Sequence, residues 1–256
     1  IQLLKKESGL RSQFISSCHK SKLPVDYESF HCWVCFLNDQ LEYKFSYPEA
    51  SFIKTPYRKF LYQVSLIYTK VFHFFYQGKT VNTWWNDITE HIILGAIPLE
   101  EHLSQLKDQE VSIVLSLVES YEKQAFAGIT PVDSDVWLES QIHCTNIPCV
   151  DFNPMPLVSL ARGVEELHKA ICLKKKTYVH CKAGKGRSAA VVVSYLATYG
   201  GLSIADAYET VRKRRPIIHL DNKKKEILIY YHLFHSFWLT DIRSHHIDEV
   251  ERFLTL

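Results

Sequence analysis

What this sequence lacks narrows its reading first. Its 30 lysines and arginines nearly balance its 28 aspartates and glutamates, for a formal net charge of +2. There is no whole-molecule basic field of the kind that marks a dedicated nucleic-acid binder, so nucleic acid is not expected as a partner. No uninterrupted apolar run reaches the roughly 20 residues that a bilayer-spanning helix needs; the richest stretch, RKFLYQVSLIYTKVFHFFY at 58–76, is broken by Lys70 and His73. Seven cysteines, at 18, 32, 35, 144, 149, 172 and 181, are odd in number and widely scattered. They make no disulfide frame, and a reducing compartment is expected. Cys32-Trp-Val-Cys35, with Cys18, His19 and His31 nearby, has zinc-ligand chemistry, but no second CxxC pair completes a tetrahedral set. No metal or cofactor is expected. The first residue is not a methionine, so the natural start is expected upstream and targeting is unread.

What is present is ordinary for a folded protein: 46% hydrophobic and 23% charged residues in a chain of 256. That is enough for one catalytic-sized core and an extension. We divide the chain into an N-terminal extension, partly helical, at 1–78 and a catalytic domain at 79–256. Within the extension, Leu61, Val64, Tyr68, Val71 and Phe75 recur at three- and four-residue spacing and predict one face of a helix. Two readings stay open: a helix packed against the main domain, or one lying on a membrane surface.

Beyond Gly78 strands and helices alternate. HIILGAI (91–97), VSIVLSL (111–117), QIHCTNIPCV (141–150) and TYVHC (177–181) predict four strands, with Pro98 suited to open a helix between the first two. Leu157, Leu160, Val164, Leu167 and Ile171 predict an amphipathic helix. Ser203-x-x-Asp206 predicts a capped helix ended by Pro216, and Asp221 caps a last helix with a stripe of Ile227, Tyr231, Phe234 and Trp238. The fold class is therefore α/β, a single largely parallel central sheet flanked by helices. Ligands in such sheets bind at the carboxyl ends of strands, where Cys181 stands.

The segment VHCKAGKGRSAAVVV (179–193) carries the chemistry. A thiolate is the nucleophile that a thiol is not, and a positive helix N-terminus beginning near Ser188 favours the anion on Cys181. Gly184 and Gly186 leave room for a tight loop, from Lys182 through Ala183 and Lys185, whose N–H groups converge on a tetraoxyanion. Arg187 supplies a planar fork for two phosphoryl oxygens. Such a loop is suited to hold a phosphate and attack it with sulfur. An inert buried cysteine would leave the glycines and lysines without a reason.

HCKAGKGRS resembles the His-Cys-(x)5-Arg-Ser/Thr signature of the cysteine-dependent protein tyrosine and dual-specificity phosphatases, and its lysines resemble the loop of the phosphatase and tensin homologue. WWNDITEHIILGAIPL, VDFNPMP and YVHCKAGKGRSA further resemble the mitochondrial phosphatases of this family that act on phosphatidylglycerophosphate. The similarity runs over roughly 84–235. It implies a dual-specificity phosphatase-like fold, a phosphocysteine on Cys181, phosphoryl stabilisation by Arg187 and the loop amides, Asp151 as general acid and then base, Ser188 assisting thiolate release, and His180 orienting the loop. Asp133 and Asp135 are competing acids. The loop lysines Lys182 and Lys185, with the cluster Arg212 to Arg215, suit a multiply charged head group. The expected substrate is a phospholipid, a phosphoinositide or phosphatidylglycerophosphate, with peripheral contact to an anionic membrane. The alternatives are a phosphoprotein substrate, a phosphate-binding module without turnover and a rhodanese-type sulfur transferase.

Overall fold

In the computed structural model, residues 54–75, 83–151, 153–239, 252, 253, 255 and 256 are described. The cysteine and histidine ligand types near residues 18–35 lie outside this range. The described elements are helix α1 (Lys54–Phe75), strands β1 (Trp85–Thr89) and β2 (Ile92–Gly95), helix α2 (Leu103–Asp108), β3 (Ile113–Ser116), α3 (Ser134–Glu139), β4 (His143–Asn146), α4 (Leu157–Cys172), β5 (Thr177–His180), α5 (Arg187–Thr198), α6 (Ile204–Arg214) and α7 (Asn222–Leu239).

The five strands form one sheet in the order β1-β2-β5-β3-β4. β5 is parallel to both neighbours, β4 is parallel to β3, and only β1 is antiparallel. Period-two alternation divides the strand residues between two faces. Leu94, Leu115 and Val179 face a core filled by Leu160, Val164 and Leu167 of α4, by α5, and by Ile204 and Val211 of α6. Ile93, Val114 and Tyr178 face the opposite side, where Leu106, Trp137 and Ile142 pack. A third cluster closes the carboxyl ends of the strands: Tyr62 and Leu66 of α1 meet Ala96, Ile97 and Leu99 after β2 and Val118 after β3. The extension's helix thus sits at the end of the sheet where the Cys181 loop emerges.

Several expectations need correction. Pro98 opens no helix: a 3₁₀ turn begins at Glu100 and α2 only at Leu103. β1 was not foreseen, because it is an edge strand in which only Ile88 is buried and Asp87 and Thr89 face out. The stripe on α1 is misplaced. Among the described side chains Tyr62 and Leu66 are buried, whereas Val64, Tyr68 and Val71 are exposed along with Phe60 and Ile67; Leu61 and Phe75 lie outside the described side chains. Apolar residues surround this helix, so spacing alone did not say which face would dock. The caps behave as read: Asp206 N–H donates to Ser203 Oγ (3.1 Å) and Lys224 N–H to Asp221 Oδ1 (3.0 Å).

Candidate active site

Cys181 directly follows the central strand, and Arg187 is the first residue of α5. Between them the chain turns back on itself. Gly184 has φ +67°, and a Cβ there would lie 2.5 Å from the Gly95 carbonyl, so only glycine fits. Gly186 is different: its φ is −117°, and an added Cβ would meet Lys224 at an ordinary 3.5 Å. The expectation that both glycines are sterically required holds for Gly184 alone.

The Ser188 hydroxyl donates to Cys181 Sγ at 3.2 Å. Burial opposes charge on this sulfur, yet the Arg187 guanidinium and the side-chain and backbone donors of Ser188 outweigh it and hold the thiol below its ordinary value. His180 is buried, with Nδ1 3.2 Å from the Cys181 carbonyl oxygen. Loss of hydration lowers its pKa to about 3, despite that contact, so it is neutral and suited to hold the loop rather than to carry protons.

Arg187 is itself buried and held from several sides. Its Nη1 donates to the Leu117 and Cys149 carbonyls at 3.0 and 2.8 Å. Nη1 and Nη2 grip Glu122 Oε2 and Oε1 at 2.8 and 2.9 Å, and Nη2 lies 2.8 Å from Asp151 Oδ1. Burial disfavours the guanidinium charge, but these carboxylates more than offset it. Nε is buried without a protein acceptor among the described residues, leaving one donor for an incoming oxyanion.

Sequence reasoning missed Glu122. It sits in a 3₁₀ turn, Ser120–Lys123, just beyond the carboxyl end of β3, and is fully buried. Burial pushes its carboxyl up and the Arg187 pair pulls it back, in the bidentate geometry of a guanidinium–carboxylate pair. An acidic residue just past a strand end was the only available signal.

Asp151 is the carboxylate brought to the loop. Lys182 Nζ donates to its Oδ2, and the side chain keeps 17% exposure. Asp133, a competing candidate, instead caps α3 by accepting from the Asp135 and Val136 N–H groups, both at 3.0 Å, while Asp135 is exposed in that helix's first turn.

The cations divide as the sequence did not show. Lys182 is buried beside Asp151 and α1, whereas Lys185 is exposed. Partial dehydration, then Arg215 and Lys182, push the Lys185 pKa down. Arg212, Lys213 and Arg214 face solvent, but Arg215 is only 1% exposed and lies behind the loop. Its five donated hydrogen bonds reach the Gly184 carbonyl (2.8 Å), the Ala183 carbonyl (3.0 Å), the Thr83 and Trp84 carbonyls (3.2 and 3.4 Å) and Asn86 Oδ1 (2.7 Å). Arg215 therefore braces the loop against the start of β1, correcting its expected place in a head-group surface. Among the described residues no cluster of three histidine, cysteine, aspartate or glutamate side chains is arranged to hold a metal.

Residues 92–232 match the family model "Dual specificity phosphatase, catalytic domain". The phosphatidylglycerophosphate phosphatase PTPMT2 of Arabidopsis thaliana is 35% identical over 146 residues, covering 57% of this chain and 61% of that protein. The match thus spans less than two thirds of that relative's length. The phosphatidylglycerophosphatase and protein-tyrosine phosphatase 1 of Rattus norvegicus is 30% identical over 185 residues, 72% of this chain and 93% of that protein. A crystal structure of PTPMT1 in complex with PI(5)P superposes with a TM-score of 0.55 at 29% identity, covering 61% of this chain and 97% of that one.

Proposed function

Because this chain belongs to the dual specificity phosphatase family and is a cysteine-dependent phosphatase, we propose that it hydrolyses the phosphomonoester of a phospholipid head group, phosphatidylglycerophosphate foremost, through a phosphocysteine on Cys181. The observation that carries the chemistry is the buried Arg187 Nε, a donor without a protein acceptor among the described residues, in a loop whose thiol is held below its ordinary value. The relatives named as phosphatidylglycerophosphate phosphatases support the lipid.

In this mechanism the substrate dianion enters the loop and accepts from its amides and from Arg187. The Cys181 thiolate attacks phosphorus as the P–O bond to the glycerol oxygen breaks, and Asp151 in its protonated form donates to that leaving oxygen. Water then attacks the phosphocysteine with the Asp151 carboxylate as base, and the Ser188 hydroxyl stabilises the departing thiolate. An arriving phosphate also replaces the Asp151 carboxylate as the anion facing Arg187 and Lys182, which favours proton uptake by the displaced acid.

Membrane contact belongs to the same proposal. Phe60, Val64, Ile67, Tyr68 and Val71 expose an apolar stripe on α1, the helix that closes the strand ends around the loop, and such a face suits the interface of a lipid substrate. No described helix is long and apolar enough to cross a membrane.

The test is phosphate release from phosphatidylglycerophosphate, phosphoinositides, phosphotyrosine and phosphothreonine peptides and p-nitrophenyl phosphate, with Cys181→Ser as the blank. Preference for phosphatidylglycerophosphate is the expected outcome. Preference for phosphopeptides would move the substrate to the protein-directed side of the family.

A further inference from the structure

Ser65 lies on α1, 117 positions before the catalytic loop that it touches. Its hydroxyl proton is committed to the Tyr62 carbonyl one turn earlier, at 2.8 Å. The oxygen's lone pairs are thereby left to accept from Lys182 Nζ, also at 2.8 Å. Lys182 Nζ donates onward to Asp151 Oδ2, and Asp151 Oδ1 meets Arg187 Nη2. A continuous polar chain therefore runs from the backbone of α1 through Ser65 and Lys182 to the carboxyl that faces the loop. Only 7% of the Lys182 side chain is exposed, so bulk water is a poor replacement for a lost protein acceptor.

The helix is fastened on either side of this chain. The Tyr62 hydroxyl donates to the Glu122 carbonyl at 2.7 Å, tying α1 to the turn that holds the other carboxylate of Arg187. The Tyr62 ring lies 5.7 Å from Lys182 Nζ and presents a π face to the ammonium. One turn later, Thr69 Oγ1 donates to the Ser65 carbonyl at 2.8 Å. Ser65 is thus presented from a helix fixed at the same turn that anchors Arg187.

We propose that Ser65 is a positioning residue for Asp151, acting through Lys182: it fixes the ammonium so that the carboxyl is aimed at the leaving oxygen when phosphate displaces it from Arg187. This rests on reading Asp151 as the general acid. The role belongs to α1, outside the catalytic loop, and makes that helix part of the reaction's proton-delivery geometry.

The test compares two aryl phosphates whose need for the acid differs, independently of the natural substrate. p-Nitrophenolate leaves with little protonation, whereas the phenolate of phenyl phosphate needs it. Ser65→Ala is expected to lower kcat on phenyl phosphate about tenfold and to change kcat on p-nitrophenyl phosphate by less than about twofold. Ser65→Thr, which keeps the acceptor, restores the lost rate. In a Lys182→Ala background, Ser65→Ala costs nothing further. Equal losses on both substrates, no loss on either, or multiplicative losses in the double variant would overturn the proposal. Asp151→Ala measured alongside separates the two failures. Without a leaving-group split in that variant, the acid assignment falls and takes the proposal with it. A split there with none in Ser65→Ala removes the role of Ser65 alone.

Discussion

Arg187 faces two carboxylates with different freedom. Glu122 has no exposed surface and is gripped at both oxygens, whereas Asp151 keeps 17% exposure and shares itself between Arg187 and Lys182. The first suits a permanent anchor and the second a group that yields to substrate. The two arginines of the site are both buried but differ in their partners, because Arg215 has backbone and amide acceptors but no ion pair among the described residues. Lysine at 215 keeps the charge but cannot make that fan of bonds. Arg215→Lys is expected to cost about 2–4 kcal/mol of stability in urea unfolding, together with most of the turnover. Unchanged stability and rate would show that the loop does not need its brace. Ser188→Ala removes a donor to the sulfur and so raises the pH midpoint of Cys181 alkylation by iodoacetamide. Thiolate forms above that midpoint, so the rate falls most at mildly acidic pH and converges with wild type at alkaline pH. Coincident profiles would deny Ser188 any hold on the thiolate.

Among the elements, α1 carries the least expected role. Its inner face supplies Tyr62, Ser65 and Leu66, and its outer face exposes Phe60 and Tyr68 at 61% and 62%. Placing glutamates at Val64 and Ile67 is expected to lower hydrolysis of lipid in anionic vesicles at least several-fold while p-nitrophenyl phosphate turnover holds. Equal loss on both would return the stripe to a packing role. The sequence revealed elements wherever one local signal sufficed. β2 and β3 were legible as aliphatic runs, whereas β4, expected over 141–150, spans only His143–Asn146 and has no aliphatic residue; the helices of the second half were legible from spacing and caps. β1 was hidden because its outward residues are polar and its pairing is with its neighbour. Cys181 and Arg187 were readable as candidates because a loop signature marks them, and Asp151 because VDFNPMP resembles the family's acid-bearing segment. Glu122, Tyr62 and Ser65 were not, since each matters through a partner about 60 or more positions away and no local pattern encodes such a pair. The Arg212–Arg215 run reads as one charged surface, but folding sends its last member inward.

At the scale of the whole molecule, the contacts of α1 bear on where the folding unit begins. Tyr62 and Leu66 cover Ile97, Leu99 and Val118, so we propose a boundary ahead of Lys54 rather than near residue 78. A protein starting at residue 79 is expected to lose about 3–6 kcal/mol and to melt roughly 10 °C lower than one starting at residue 54. Equal melting temperatures would restore the later boundary. The strand order carries a consequence for synthesis on the ribosome. β2 and β3 are not neighbours: both wait for β5, whose residues Thr177 to His180 are made more than sixty residues after Ser116. Until then the nascent chain displays two aliphatic strand edges, each a template for pairing with another chain. The strand that delivers Cys181, the proposed nucleophile, also closes those edges, so on this proposal acquisition of the nucleophile and escape from aggregation coincide in a single late step.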